Sequence, residues 1–122
     1  MDTDRSETLK QSIINIAQEA FRFKNVFQNI LNTKIDPFER RRYFSQFSWF
    51  FKKVEEALET AGMKIVDLTG EPYDIGMAVT PLNIADFNTD DHLYIDQMVT
   101  PVIIENDKVV NMGTVILEKV IK

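Results

Sequence analysis

The sequence predicts an α+β protein: an N-terminal helical hairpin or dimeric four-helix bundle, followed by a small antiparallel β domain. Three observations carry this. Apolar residues recur at spacings of three and four through the first half. After Gly62, β-branched residues take over and Gly and Pro become frequent. Asn106-Asp107 then separates two short apolar runs, a two-residue hairpin signal. At 122 residues, 44% apolar and 27% charged, the chain has the length of one small domain and enough apolar surface to build a core.

The first helix is expected over about 5–32. Ile13, Ile16, Ala20, Phe23, Phe27 and Ile30 form a heptad-like seam, which Ile14, Ala17, Phe21 and Leu31 widen into a broad apolar face. A lone helix cannot bury so wide a stripe, so a partner helix or partner chain is required. The pattern lapses at Asn32-Thr33-Lys34-Ile35, and Asp36-Pro37-Phe38-Glu39 restarts it. Asp36 suits an N-cap, Pro37 the first helical position, and Glu39 the capping-box position. The second helix, about 37–61, repeats the spacing with Phe44, Phe47, Phe51, Val54, Leu58 and Ala61, and Gly62 stands where a left-handed cap would end it. Six aromatic residues fall between Tyr43 and Phe51. Such a stripe reads as core packing or as an exposed patch that meets another protein.

Residues 1–62 form the helical region and 63–122 the β region. Within the latter, 63–68, 93–95, 100–104, 108–110 and 114–117 are strand candidates. Pro101 marks an edge or irregular start, and Gly113 reads as a bulge position.

Composition excludes several chemistries. Without cysteine there is no disulfide, thiolate zinc site or cysteine nucleophile, and His92 is the only histidine, so one chain cannot build a multi-histidine metal centre. No run approaches roughly 18 apolar residues, and the acidic, polar opening Met1-Asp2-Thr3-Asp4 resembles no signal peptide. The expected location is the cytoplasm. Residues 1–62 carry ten Lys/Arg against nine Asp/Glu, a balance of +1, whereas residues 63–122 carry four against ten, a balance of −6. An acidic second half argues against nucleic acid. Arg40-Arg41-Arg42 is the one basic cluster, a solvated helix start or, less plainly, a phosphate-binding patch.

Motifs for catalysis and metal binding are weak. Asp86-Phe87-Asn88-Thr89-Asp90 opens like a calcium loop, but the sixth position is Asp91 in place of Gly and the twelfth is Gln97 in place of Glu. His92 has Asp90 and Asp91 as near neighbours in the chain and no recognisable nucleophile motif. Glu71 and Asp74 are a carboxylate pair beside a Pro turn. No nucleophile elbow, P-loop or dinucleotide fingerprint occurs. The expectation is a protein that is not an enzyme and holds no cofactor or metal.

The junction is more specific. Val54-Glu55-Glu56-Ala57-Leu58-Glu59-Thr60-Ala61-Gly62-Met63-Lys64-Ile65-Val66-Asp67 runs on to Gly70-Glu71-Pro72-Tyr73-Asp74. This resembles the GrpE family, nucleotide exchange factors of DnaK-type chaperones, in which a bundle helix ends in a Gly-hydrophobic turn before a G-E-x-F-D-type motif. Met77-Ala78-Val79 lies where the family has H-E-A-V. Residues 106–110 and 115–119 resemble its closing hairpin and last strand. The resemblance spans about 45–122. It implies a homodimer, paired through a four-helix bundle, whose β domains reach a protein partner; in the family that partner is the chaperone ATPase domain. The chain departs from the pattern at Gly76-Met77, at Val99-Thr100-Pro101 in place of Lys-Gly-Tyr, and at Val110-Asn111-Met112-Gly113 in place of L-R-P-A. The lost arginine, at Asn111, favours an adaptor or regulator of another protein over a working exchange factor.

On this reading the dimer interface comprises Ile16, Phe23, Phe27, Phe44, Phe47, Phe51, Val54 and Leu58. The partner-binding surface comprises Tyr73, Met77, Met98, Asn111 and Met112, methionines being common on adaptable surfaces as well as in cores.

Overall fold

The computed structural model describes residues 2–33 and 36–121. The chain divides into two compact units, Met1–Lys64 and Ile65–Lys122. Among the described residues two helices precede six short strands, so the fold is α+β. Among the described residues no helix is long and apolar enough to cross a membrane.

Helix α1 covers Asp2–Leu31 and helix α2 covers Pro37–Thr60. The restart between them follows from local chemistry. The Asp36 carboxylate accepts the Phe38 N–H at 3.2 Å, and Pro37, which has no N–H to satisfy, opens the first turn. At the other end Gly62 takes φ +79°, the left-handed conformation that lets the chain leave the helix and enter a strand.

The helices pack on each other along a seam one residue out of step with the predicted one. Ile14, Ala17, Ala20, Phe21 and Leu31 are buried on α1, with Phe47 and Leu58 on α2. The α1 seam is 14, 17, 21, 24, 28, 31, and position 24 is a lysine. Its ammonium lies 5.4 Å from the Phe21 ring centre and 5.0 Å from that of Phe51. Two ring faces thus make a seam position tolerable for a cation whose stem is apolar. Phe47 is the hub of α2, with ring centres at 5.1 Å from Phe27, 5.7 Å from Phe23, and 6.1 Å from Phe50 and Phe51. Such pairs add about 0.5–1.5 kcal/mol each beyond area burial.

The strands form two three-stranded sheets. β1 (Met63–Val66), β4 (Val102–Glu105) and β5 (Lys108–Asn111) lie in the order β1-β4-β5; β2 (Val79–Pro81), β3 (Leu93–Thr100) and β6 (Gly113–Lys119) lie in the order β2-β6-β3. β3 and β6 are antiparallel, but β2 pairs with β6 in parallel, so the β region is mixed and the expectation of a purely antiparallel domain is corrected. A three-residue strand has too short a pattern to register in sequence. Asn83 lengthens it: its side-chain amide donates to the Leu117 carbonyl and accepts the Leu117 N–H, both at 2.9 Å, continuing the β2–β6 ladder with a side chain. On the far edge, residues 70–73 run beside β3 through Gly70 N–H to Ile95, Ile95 N–H to Glu71 and Tyr73 N–H to Leu93.

The chain changes sheets at two corners. Between β3 and β4 stands buried Pro101, which has no N–H for either ladder, so the predicted strand 100–104 is broken there. Between β5 and β6 stands Met112. The Asn111 amide donates to the Pro101 carbonyl at 2.9 Å and ties the two corners together. Gly113 is not a bulge: it pairs with Val79, and the register slips instead on β3, at Asp96 and Val99. Asn106 and Asp107 close the β4–β5 hairpin with φ of 51° and 67°, as a primed turn requires. The core of this unit is Val79, Ile95, Met98, Val102, Ile103, Val115 and Leu117.

Candidate functional site

Of the predicted α1 seam, Ala20 is buried and Ile13 and Phe27 are half-buried, whereas Ile16, Phe23 and Ile30 lie on the outside of the hairpin, in line with Leu9. Leu9, Ile16, Phe23 and Ile30, each seven residues from the next, are 54%, 66%, 50% and 50% exposed. On α2, Tyr43 and Phe50, also seven apart, are 42% and 47% exposed. Two open grooves run along this face. One, of about 560 Å³, lies among Ile16, Phe23, Phe27, Tyr43, Phe47 and Phe50; the other, of about 410 Å³, includes Ile13, Ile16, Phe50, Val54 and Ala57. They share Ile16 and Phe50 and so form one apolar trough. Glu19, Gln46 and Lys53 are the polar residues on its rim.

The residues predicted for a dimer interface therefore separate into two groups. Ile16, Phe23, Phe27 and Val54 line the trough. Phe47 and Leu58 also reach its floor but are 8% and 2% exposed, and Phe51 is half-buried beneath Lys24, so these three chiefly hold the unit together. Phe44 is 48% exposed and lines a different cleft, at the hairpin tip. Tyr43 and Phe50 join the trough without having been predicted for it. The seven-residue repeats of 9, 16, 23, 30 and of 43, 50 were the available signal, masked by equally good apolar spacing one position away.

In the β unit, the five residues predicted to meet a partner do not form one surface. Met98 is buried at 1% exposure, its sulfur accepting the Leu68 N–H at 3.0 Å, so it belongs to the core. Asn111 spends its amide on the Pro101 and Met112 carbonyls, bracing the corner. Met112 is 53% exposed. Met77 lies close by in the chain path, since the Gly113 N–H donates to the Ala78 carbonyl. Tyr73 is elsewhere: it bonds Leu93, which pairs with Lys119 at the opposite end of β6 from Gly113. Six strand steps separate those ends, about 20 Å. Val109 and Val110 are exposed on edge strand β5, just before Met112 in the chain, and sequence reasoning passed them over as strand formers.

The calcium-like segment has a structural role. The Asp91 carboxylate accepts the Asn88 N–H at 2.9 Å and lies 3.3 Å from the Lys119 ammonium, closing the loop into β3. The Asn88 hydrogen bond, with help from Lys119, holds its pKa below the ordinary carboxylate value. A depressed folded-state pKa stabilises the fold above the unfolded-state pKa, and that contribution is lost as pH falls through the folded value. The stability gap between wild type and Asp91→Asn should therefore be present at neutral pH and narrow steadily once pH drops below about 4. Denaturant midpoints of both proteins from pH 7 down to about pH 2, a span that brackets an aspartate titrating at or below about 4, check this; a constant gap would mean the carboxylate charge is irrelevant.

His92 is exposed, and its carbonyl accepts the Val120 N–H at 2.8 Å. Among the described residues, no three His, Asp or Glu side chains converge as a metal site. Comparison with known proteins finds no matching family model, no similar curated protein and no similar solved structure.

Proposed function

We propose that this chain is a non-enzymatic protein-interaction module: a GrpE-like homodimer that binds a partner protein through its β unit as an adaptor or regulator. The observation that carries the reading is the apolar trough along the hairpin, lined among others by Ile16, Phe23, Tyr43 and Phe50, four large side chains between 42% and 66% exposed in heptad register. Water-facing stripes of this kind are covered in use. A second copy offers the same stripe, and the helical half, at +1, repels itself little. Two hairpins set trough to trough make a four-helix bundle with the seam inside. The β unit would then meet the partner at Met77, Met112, Val109 and Val110.

A second reading keeps the family's activity: the β unit accelerates ADP release from a DnaK-type chaperone. Helices followed by a β region, with Gly70-Glu71-Pro72-Tyr73-Asp74 following the first strand, favour it. Its mechanism would be stabilisation of an open chaperone conformer by differential binding, with no chemistry on this protein.

One experiment separates these. Solution mass is measured by light scattering, and release of a fluorescent ADP analogue from the chaperone is followed with and without the protein. A dimer that accelerates release tenfold or more, on the order of 1.4 kcal/mol, is an exchange factor. A folded dimer without effect is an adaptor. A monomer at micromolar concentration sinks both.

A further inference from the structure

The hairpin tip carries a feature that neither reading uses. A cleft of about 610 Å³ opens between the end of α1 and the start of α2. Gln28, Asn29 and Asn32 line it from the α1 side; Arg40, Arg41 and Ser45 line it from α2. No Asp or Glu is among its described lining residues. Arg40 is half-buried and donates to the Thr33 carbonyl at 3.3 Å, which anchors its guanidinium at the tip. None of the ion pairs found among the described residues involves Arg41.

Two guanidiniums beside three carboxamides and a hydroxyl form a donor-rich wall. Guanidinium forks match the oxygens of a phosphate, and the amides add directed donors. The remaining wall is apolar: Leu31 is buried at its base, and the Phe44 ring, 48% exposed, offers a flat face. The volume falls within the range of small-ligand clefts, roughly 300–1,000 Å³.

We propose that this cleft binds a small organic phosphate with a planar body, of mononucleotide size. Arg40 and Arg41 take the phosphate, and Phe44 stacks against the ring. The amides of Gln28, Asn29 and Asn32 face the remaining polar edge. The site shares no lining residue with the trough.

The test is a titration of the full ¹⁵N-labelled chain with AMP and, separately, with inorganic phosphate, followed by amide chemical shifts. Saturable AMP shifts should be confined to residues 28–33 and 40–45. Arg41→Gln should weaken AMP about fivefold or more, whereas Arg42→Gln, which removes the same charge outside the cleft, should change it less than about twofold. Phe44→Ala should weaken AMP and leave inorganic phosphate unchanged. Circular dichroism of each variant reports folding. Shifts that fail to saturate, or equal losses from Arg41→Gln and Arg42→Gln, would reduce the cleft to diffuse positive charge and overturn the proposal. AMP binding no tighter than inorganic phosphate would overturn the stacking role of Phe44 and with it the planar ligand.

Discussion

Replacing Phe47 with Asp should unfold the helical unit, while Phe23→Asp should leave the hairpin folded and separate the protomers of the proposed dimer. The contrast rests on position. Phe47 is 8% exposed and touches four other rings, so a carboxylate there is buried without a partner and its cost is several kcal/mol. Phe23 is 50% exposed in the single hairpin, where a carboxylate can reach water. Its intramolecular loss is chiefly the contacts with Phe27 and Phe47, together about 1–3 kcal/mol. In a trough-to-trough dimer, however, two such charges are brought into an apolar seam. Helical ellipticity should fall for Phe47→Asp and persist for Phe23→Asp, and the solution mass of the latter should halve. Loss of ellipticity in Phe23→Asp would place Phe23 in the hairpin core; an unchanged dimer would remove the trough as the interface.

That pair of variants also locates where sequence reasoning succeeded and where it ran out. The helix restart was legible because Asp36-Pro37 acts through its own backbone: a cap acceptor followed by a residue without an N–H needs no tertiary context. Asn106-Asp107 and Gly62 were legible for the same reason, as positions where positive φ is tolerated or required. The face of α1 that turns inward was not. Both 13/16/20/23/27/30 and 14/17/21/24/28/31 follow the helical period, and the latter set is the less apolar because it contains Lys24 and Gln28. Only tertiary structure shows the Lys24 ammonium over two rings. The same limit applies to the β unit. Met98 and Met112 are alike as letters, yet one is 1% and the other 53% exposed, because the chain changes sheets between them. Asn83 has the sequence context of a loop residue, and only the fold brings its amide to complete a ladder on Leu117.

Gly113→Ala should destabilise the β unit by about 1–3 kcal/mol, and Gly113→Val by more. The reason is space and not conformation, since the backbone there does not take the left-handed region. A Cβ at position 113 would stand 2.8 Å from Met98 Cε, 3.0 Å from the Thr100 carbonyl oxygen and 3.1 Å from Val102 Cγ2. The methionine end can swing, but Met98 is fully enclosed, and Thr100 and Val102 flank the Pro101 corner. The carbonyl cannot retreat without disturbing β3, where Thr100 also holds Thr114 through its hydroxyl at 2.9 Å and 3.0 Å. Gly62→Ala supplies the contrast: nothing stands within 4 Å, but φ is +79°, so its cost is the left-handed penalty alone, about 1–2 kcal/mol. The two mechanisms come apart in a double-mutant cycle. Met98→Ala, which removes the nearest atom, should reduce the cost of Gly113→Ala by a coupling of about 0.5 kcal/mol or more and leave that of Gly62→Ala unchanged. Denaturant midpoints of the three single variants, the two doubles with Met98→Ala and wild type measure it. Strict additivity at Gly113 would mean that the Thr100 carbonyl and the Val102 side chain, and not Met98, set the limit. In that case the close approach at the corner, which brings Met112 beside the Met77–Ala78 strand entry, is fixed by the two residues that flank Pro101.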